Sequence, residues 1–282
     1  MRRIAFKFSK LRPGVVDATF IVGTGRSGTK FFAEFFSQLD SATLALHEPQ
    51  PDLFDLGMGK FRESLSRKDI IREITKSRVE VLRNSAFKNN RYVESNPNCS
   101  LLLPEIKNAF PNAKFIIIIR NLDSYLTSAM NKNPIVSQPD IFFYGENDGR
   151  LRLRATDIDP HFCGWEELPR VQKIAWYWNF INTILVRYSI EHADQCLVVA
   201  FEDIFCECNE KRAETLSRIL DFTDSKVDNE LFAHLLQMSF TKVNETTNKV
   251  FEGMDQPNNS ERQKIRQMTS EATTLIQGVF ST

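Results

Sequence analysis

The sequence contains no apolar run long enough to cross a bilayer, which takes about 20 consecutive residues, so a spanning helix is not expected. It also has no charge excess: Lys+Arg and Asp+Glu are equal at 36 each. That balance excludes a protein that coats a polyanion, and no nucleic-acid partner is expected, although a local basic pocket remains open. No repeat or low-complexity linker interrupts the chain, so a single domain over residues 1–282 is expected. There are only five cysteines, an odd and scattered set (Cys99, Cys163, Cys196, Cys206, Cys208). Cys206-Glu207-Cys208 has no second pair and no nearby histidine, so a zinc site is excluded and reduced thiols of a cytoplasmic protein are expected. Residues 1–10 are basic but lack the apolar stretch of a secretory signal. The triplets starting at Asn98, Asn244 and Asn258 are therefore read as chance matches to the glycosylation pattern.

What the sequence does contain is an apolar fraction ordinary for a globular protein with a sizeable core, 42% hydrophobic against 26% charged, and an unusual 23 phenylalanines. Apolar spacing predicts strands over 17–22, 43–46, 91–94, 114–119 and 195–201. It predicts helices over 29–39, 68–82, 101–109, 122–130, 174–190, 211–220, 229–238 and 260–277. Residues 114–119 are almost wholly apolar, the mark of a central parallel strand covered on both faces. Alternating strands and helices predict an α/β fold, a single domain with a central parallel β-sheet flanked by helices. Residues 131–165 are rich in Asn, Asp, Gly and Pro and read as a long loop, a feature that usually has a binding role.

The first strand runs into Gly23-Thr24-Gly25-Arg26-Ser27-Gly28-Thr29-Lys30, followed by a helix. Glycines let the backbone approach an anion, the helix start offers free N–H groups, and Arg26, Ser27, Thr29 and Lys30 add donors. The competing reading is a tight strand-to-helix turn with incidental charges. A Walker A loop does not fit: Lys30 falls one place late and Phe31 stands where the magnesium-binding hydroxyl belongs. Gly23, Gly25 and Gly28 match the dinucleotide spacing, but Glu48, the acidic residue at about the right distance, lies in a turn-like His47-Glu48-Pro49 segment.

Arg26 to Phe32 resembles the 5′-phosphosulfate loop of the sulfotransferase family, in the branch with Arg-Ser-Gly, and the carbohydrate sulfotransferases in particular. Phe110 to Arg120, followed by Ser128, resembles that family's second element, whose Arg and Ser hold a 3′-phosphate. Tyr92 to Pro97 stands where relatives have an Asp-Lys-Thr-Pro-like turn, with Ser95 replacing the lysine. Val199 to Ile204 is similar to the family's strand ending in Glu-Asp-Leu. The resemblance runs from about residue 17 to the C-terminal helix and omits 131–165. Lys30 and Asn121-Leu122 depart from the family pattern. The resemblance implies a P-loop nucleotide-hydrolase-like sulfotransferase fold. It also implies 3′-phosphoadenosine 5′-phosphosulfate (PAPS) as co-substrate, held by Gly25, Arg26, Ser27, Gly28, Thr29, Lys30, Arg120, Ser128 and Lys249.

Sulfuryl transfer passes through a loose state with charge growing on the leaving oxygen, so positioning and electrostatics carry it. A sulfuryl group bears less charge than a phosphoryl group, so Arg26, Lys30 and the loop amides would suffice without a metal. An acceptor hydroxyl needs a general base. Glu48 is the candidate, since Glu48-Pro49 resembles the Glu-Pro of carbohydrate sulfotransferases. His47 is its rival and His161 a more distant one. The implied acceptor is a carbohydrate or glycoconjugate hydroxyl, with Trp165 as a possible contact; Trp176 to Phe180 reads as core. Two alternatives stay open, a small-molecule kinase on the same architecture and an anion-binding module without catalysis. An Arg120 salt bridge to Asp123 or Glu94 is the competing reading for that arginine.

Overall fold

The computed structural model describes residues 13–40, 42–85, 91–132, 152–239 and 251–281. Its strands are β1 (Asp17–Gly23), β2 (Thr43–His47), β3 (Arg91–Ser95), β4 (Lys114–Ile119) and β5 (Cys196–Ala200). The helices are α1 (Thr29–Ser37), α2 (Phe54–Phe61), α3 (Arg67–Asn84), α4 (Leu103–Ala109), α5 (Leu122–Lys132) and α6 (Ala155–Ile158). They continue with α7 (Arg170–Glu191), α8 (Phe201–Ile204), α9 (Asn209–Phe222), α10 (Asn229–Met238), α11 (Asn259–Met268) and α12 (Ser270–Phe280).

The five strands form one sheet in the order β2-β3-β1-β4-β5, and all four pairings are parallel. Parallel pairing demands long crossovers, and the intervening helices supply them on both faces. Strand β4 shows how. Phe115, Ile117 and Ile119 join a core with Phe20, Tyr92, Ile174 and Trp178. Ile116 and Ile118 point the other way, into a second core with Phe31, Phe32, Phe35, Phe36 and Ile219. Successive side chains in a strand face opposite sides, so an unbroken apolar run feeds two cores at once.

The α/β class and the five strands agree with the sequence reading, and three local differences have simple causes. Helix α2 carries Gly57 and Gly59, which weaken its helical signal; a Cβ at Gly59 would sit 2.7 Å from the Leu65 side chain. The helix predicted over 260–277 is two helices, broken at Thr269, whose hydroxyl turns back to the Ile265 carbonyl at 2.9 Å. The segment 131–165 is not loop throughout: α6 lies in it, and Trp165 is 2% exposed, edge-on to Trp176 at 5.2 Å. Trp165 is thus a packing residue rather than the exposed contact its surroundings suggested. Tyr177 and Trp178 are core as expected, whereas Trp176 is only half-buried and stacks on Phe180 at 5.2 Å. No helix among the described residues is long and apolar enough to cross a membrane.

Candidate active site

In the order 2-3-1-4-5, the chain leaves β1 towards one edge of the sheet and later crosses to β4 on its other side. Such a switch opens a crevice at the carboxyl ends of the two central strands. Gly23 pairs with Ile118 across β1 and β4, so the Gly-rich loop and Arg120 emerge side by side.

The loop is braced from within. Gly25 and Gly28 adopt φ of 74° and 75°, and Arg26 follows at 55°. At Gly28 a side chain is excluded twice, by the backbone angle and by Phe205, whose ring carbon would lie 2.7 Å from a Cβ. Ser27 is fully buried, its hydroxyl donating to the Gly25 carbonyl at 3.1 Å and meeting the Thr24 hydroxyl at 3.1 Å. The Ser27 side chain thus braces the loop's shape. Ser100 locks the far side, accepting from the Gly23 N–H at 3.0 Å and donating to its carbonyl at 2.8 Å. Thr29 opens α1 and is buried, while Lys30 is exposed. Helix α1 has no side-chain cap and no acidic residue in its first turn. Its first N–H groups and positive dipole end are left for an external anion.

Arg120 and Ser128 join this loop. The Arg120 Nη1 donates to the Arg26 carbonyl at 2.5 Å, and the Arg26 Nε donates to the Ser128 hydroxyl at 3.1 Å. Arg120 also donates to Ser124 at 2.9 Å and lies over the Phe201 ring at 4.2 Å. The Trp178 indole N–H holds the Arg120 carbonyl at 2.9 Å. Burial lowers both guanidinium pKa values, Arg120 to about 10, with Glu202 opposing the shift and the neighbouring Arg26 adding to it. Two cations forced together in a half-buried crevice make a strong anion receptor.

The salt bridges weighed for Arg120 are not formed. Glu94 is committed to Arg78, and Asp123 accepts the Met254 N–H at 2.7 Å. Two residues not singled out from the sequence organise Arg120. Ser124 donates onward to Glu202 at 2.8 Å, and Glu202 also takes the Asn121 N–H at 3.2 Å. Ser124 stands one helical turn after Arg120, a spacing visible in the sequence; Glu202 is close only in the fold. A third guanidinium, Arg152, is buried against Tyr177, donating to its hydroxyl at 2.9 Å. Arg152, Arg120 and Arg26 all act on the Tyr125 hydroxyl, whose pKa burial and Tyr177 nevertheless raise.

His47 ends β2, two strands from the loop, and Glu48 follows it. His47 Nδ1 lies 2.9 Å from the Ser95 carbonyl, and the Glu48 N–H donates to that same oxygen at 3.2 Å. Glu48 has φ of 44°, and its carboxylate stands 3.8 Å from His47 Nε2. Both side chains are about one-third exposed, so both can meet a substrate. His161 is exposed in a turn whose backbone is fixed by Asp159 at 2.9 Å, and no contact among the described residues ties it to the loop. Lys249 lies outside the described residues. A groove of about 360 Å³ on the other side of α7, between Ile158, Trp176, Phe180 and Ile184, includes none of the site residues.

Fold, loop and paired arginines place a cationic crevice at the carboxyl edge of a parallel sheet. The chain belongs to the sulfotransferase family: residues 16–273 match the family described as sulfotransferase domain. Among solved structures it is similar to the sulfotransferase domain from the curacin biosynthetic pathway, with 12% identity, TM-score 0.54, and coverage of 94% of this chain and 97% of that one. A sulfotransferase of Alicyclobacillus acidocaldarius gives 13% identity, TM-score 0.51, and coverage of 93% and 95%. One from Mycobacterium avium gives 11%, 0.51, and coverage of 91% and 76%. No curated protein matches the chain.

Proposed function

We propose that the chain transfers the sulfuryl group of PAPS to a hydroxyl of a carbohydrate or glycoconjugate, with Glu48 as general base. One observation carries the donor part: Arg120 and Ser128, the second anion-binding pair, are hydrogen-bonded to Arg26 of the Gly-rich loop. A 5′-phosphosulfate and a 3′-phosphate need two adjoining cationic subsites, whereas an ordinary nucleoside triphosphate has no group for the second. The backbone amides of Gly25 to Lys30 and the α1 terminus would take the 5′ group together with Arg26 and Lys30. Arg120, Ser128 and Lys249 would take the 3′ group.

In the transfer the acceptor oxygen bonds to sulfur as the bond from sulfur to the bridging phosphate oxygen breaks. The acceptor proton passes to the Glu48 carboxylate, and the charge growing on the leaving phosphate is met by Arg26 and Lys30. Donors already fixed by the loop need no reorganisation at that moment, which is how such a site accelerates transfer. His47, with Nδ1 held on Ser95, orients its Nε2 towards Glu48 in this reading. Residues 131–165 supply part of the acceptor side, within a single domain spanning 1–282. The odd, scattered set of five cysteines supports a cytoplasmic setting.

Adenosine 3′,5′-bisphosphate should raise the melting temperature, and ATP with magnesium should not; the reverse overturns the donor assignment in favour of a kinase. In a screen of hydroxylated acceptors with radiolabelled PAPS, Glu48→Gln should lower kcat by roughly 10²–10⁴-fold, the usual share of a general base. A larger fall in His47→Gln than in Glu48→Gln would make His47 the base. Nucleotide binding without transfer to any acceptor would favour the non-catalytic reading.

A further inference from the structure

Strand β3 lies between β1, which leads into the Gly-rich loop, and β2, which leads into Glu48. Its last two residues and the one after it, Glu94, Ser95 and Asn96, touch both neighbours. The Ser95 hydroxyl donates to the Thr29 carbonyl at 2.6 Å, at the start of α1, while its own carbonyl holds the Glu48 N–H and His47 Nδ1. Beside it is a wholly buried cluster. Arg78 and Glu94 are both 0% exposed and form a two-pronged pair, Nε to Oε2 and Nη2 to Oε1, each at 2.6 Å. Tyr92 donates to Glu94 at 2.7 Å and Asn96 Nδ2 donates at 2.9 Å, so the carboxylate is fully engaged.

The cluster reaches out to the backbone that follows Glu48. The remaining prong of Arg78, Nη1, donates to the Pro51 carbonyl at 2.7 Å. Asn96 Nδ2 also donates to the Asp52 carbonyl at 3.0 Å. The Glu48 turn is thus held at its beginning by Ser95 and at its end by Arg78 and Asn96. Within that span Glu48 keeps a left-handed backbone angle of 44°, a conformation that persists only where the surroundings over-determine it. A buried ion pair is a poor way to add stability, because desolvation offsets its attraction, so its presence calls for another role.

We propose that Arg78, Glu94 and Asn96 are positioning residues that set the Glu48–His47 turn against the donor loop. This rests on the reading of Glu48 as the base. Arg78 is the pivot, since a guanidinium can grip a carboxylate with two prongs and a backbone carbonyl with a third, and an ammonium cannot keep that geometry.

The test compares Arg78→Lys, which keeps the charge opposite Glu94 but loses the fork, with Asn96→Ser. Serine can still cap the turn at residue 98 but cannot reach the Asp52 carbonyl. The chain has four histidines, so the ring signals of His47, assigned with His47→Gln, can be followed by NMR in the full chain without any substrate. Both variants should move the His47 signals beyond their line width and leave His161, His192 and His234 in place. With the best acceptor from the screen, kcat should fall roughly 10- to 100-fold, the scale of an ångström of misplacement, while affinity for adenosine 3′,5′-bisphosphate stays within about twofold. Unmoved His47 signals in the folded variants, or equal shifts of all four histidines, overturn the proposal. If Arg78→Lys does not fold, Asn96→Ser alone decides by the same criteria. Fully active Glu48→Gln with displaced His47 signals would refute the base assignment and leave the positioning role standing as geometry.

Discussion

Arg120 shows what a single residue gains from its place in the sheet. At the end of an apolar strand it is drawn into a crevice beside Arg26, where burial lowers its pKa to about 10. It therefore stays charged at neutral pH, and the cost of keeping it so is recovered when an anion arrives. Replacing it in Arg120→Gln removes charge-assisted hydrogen bonds worth roughly 1.5–3 kcal/mol. Affinity for adenosine 3′,5′-bisphosphate should fall about 10- to 100-fold by calorimetric titration. Binding to the wild type should be flat from about pH 7 to pH 9, because the ligand selects the protonated guanidinium, and should weaken only as pH passes about 10. Arginine at a strand end and a serine eight residues on were legible in the sequence. The partners Ser124, Phe201 and Glu202 were not assigned to Arg120, because a strand end can be approached from any neighbouring element.

At the scale of elements, the Gly-rich loop is braced by hydrogen bonds of its own and to Ser100. Its bent backbone is pinned by Thr24, Ser27 and Ser100, and the Phe205 ring closes on Gly28. Gly28→Ala would force a side chain into a left-handed angle and against that ring. The expected loss is about 1–3 kcal/mol in chemical denaturation, together with weaker nucleotide binding. Retained stability with lost binding would instead mean that only the loop's path had changed. The glycine spacing announced the loop, yet the inward turn of Ser27 could not be read from it, since a hydroxyl beside free carbonyls and one facing a ligand look alike in sequence. Helix α2 and the break at Thr269 were missed for a related reason: glycines and a backbone-bonded threonine blur helical periodicity, and packing settles the outcome.

For the molecule as a whole, the decisive property is a sheet buried on both faces. Ile116 and Ile117 are adjacent in β4, both 0% exposed, and belong to different cores. Ile116→Ala and Ile117→Ala should each cost about 2–5 kcal/mol in denaturant unfolding, whereas in a sheet with one wet face only one of them would. The sequence by itself determined the strand and helix alternation, the parallel class and the place of the Gly-rich loop, because these rest on periodicity and on local backbone chemistry. Only the tertiary structure decided which strands adjoin. That order brings Arg120 and Ser128 to Arg26 and hangs the Glu48 turn on Ser95. The physical reason is range: a turn or a helix is specified by neighbours a few residues away, whereas the crevice is closed by Arg26 and Ser128, 102 positions apart, and by Arg26 and Arg120, 94 apart, which no local pattern encodes.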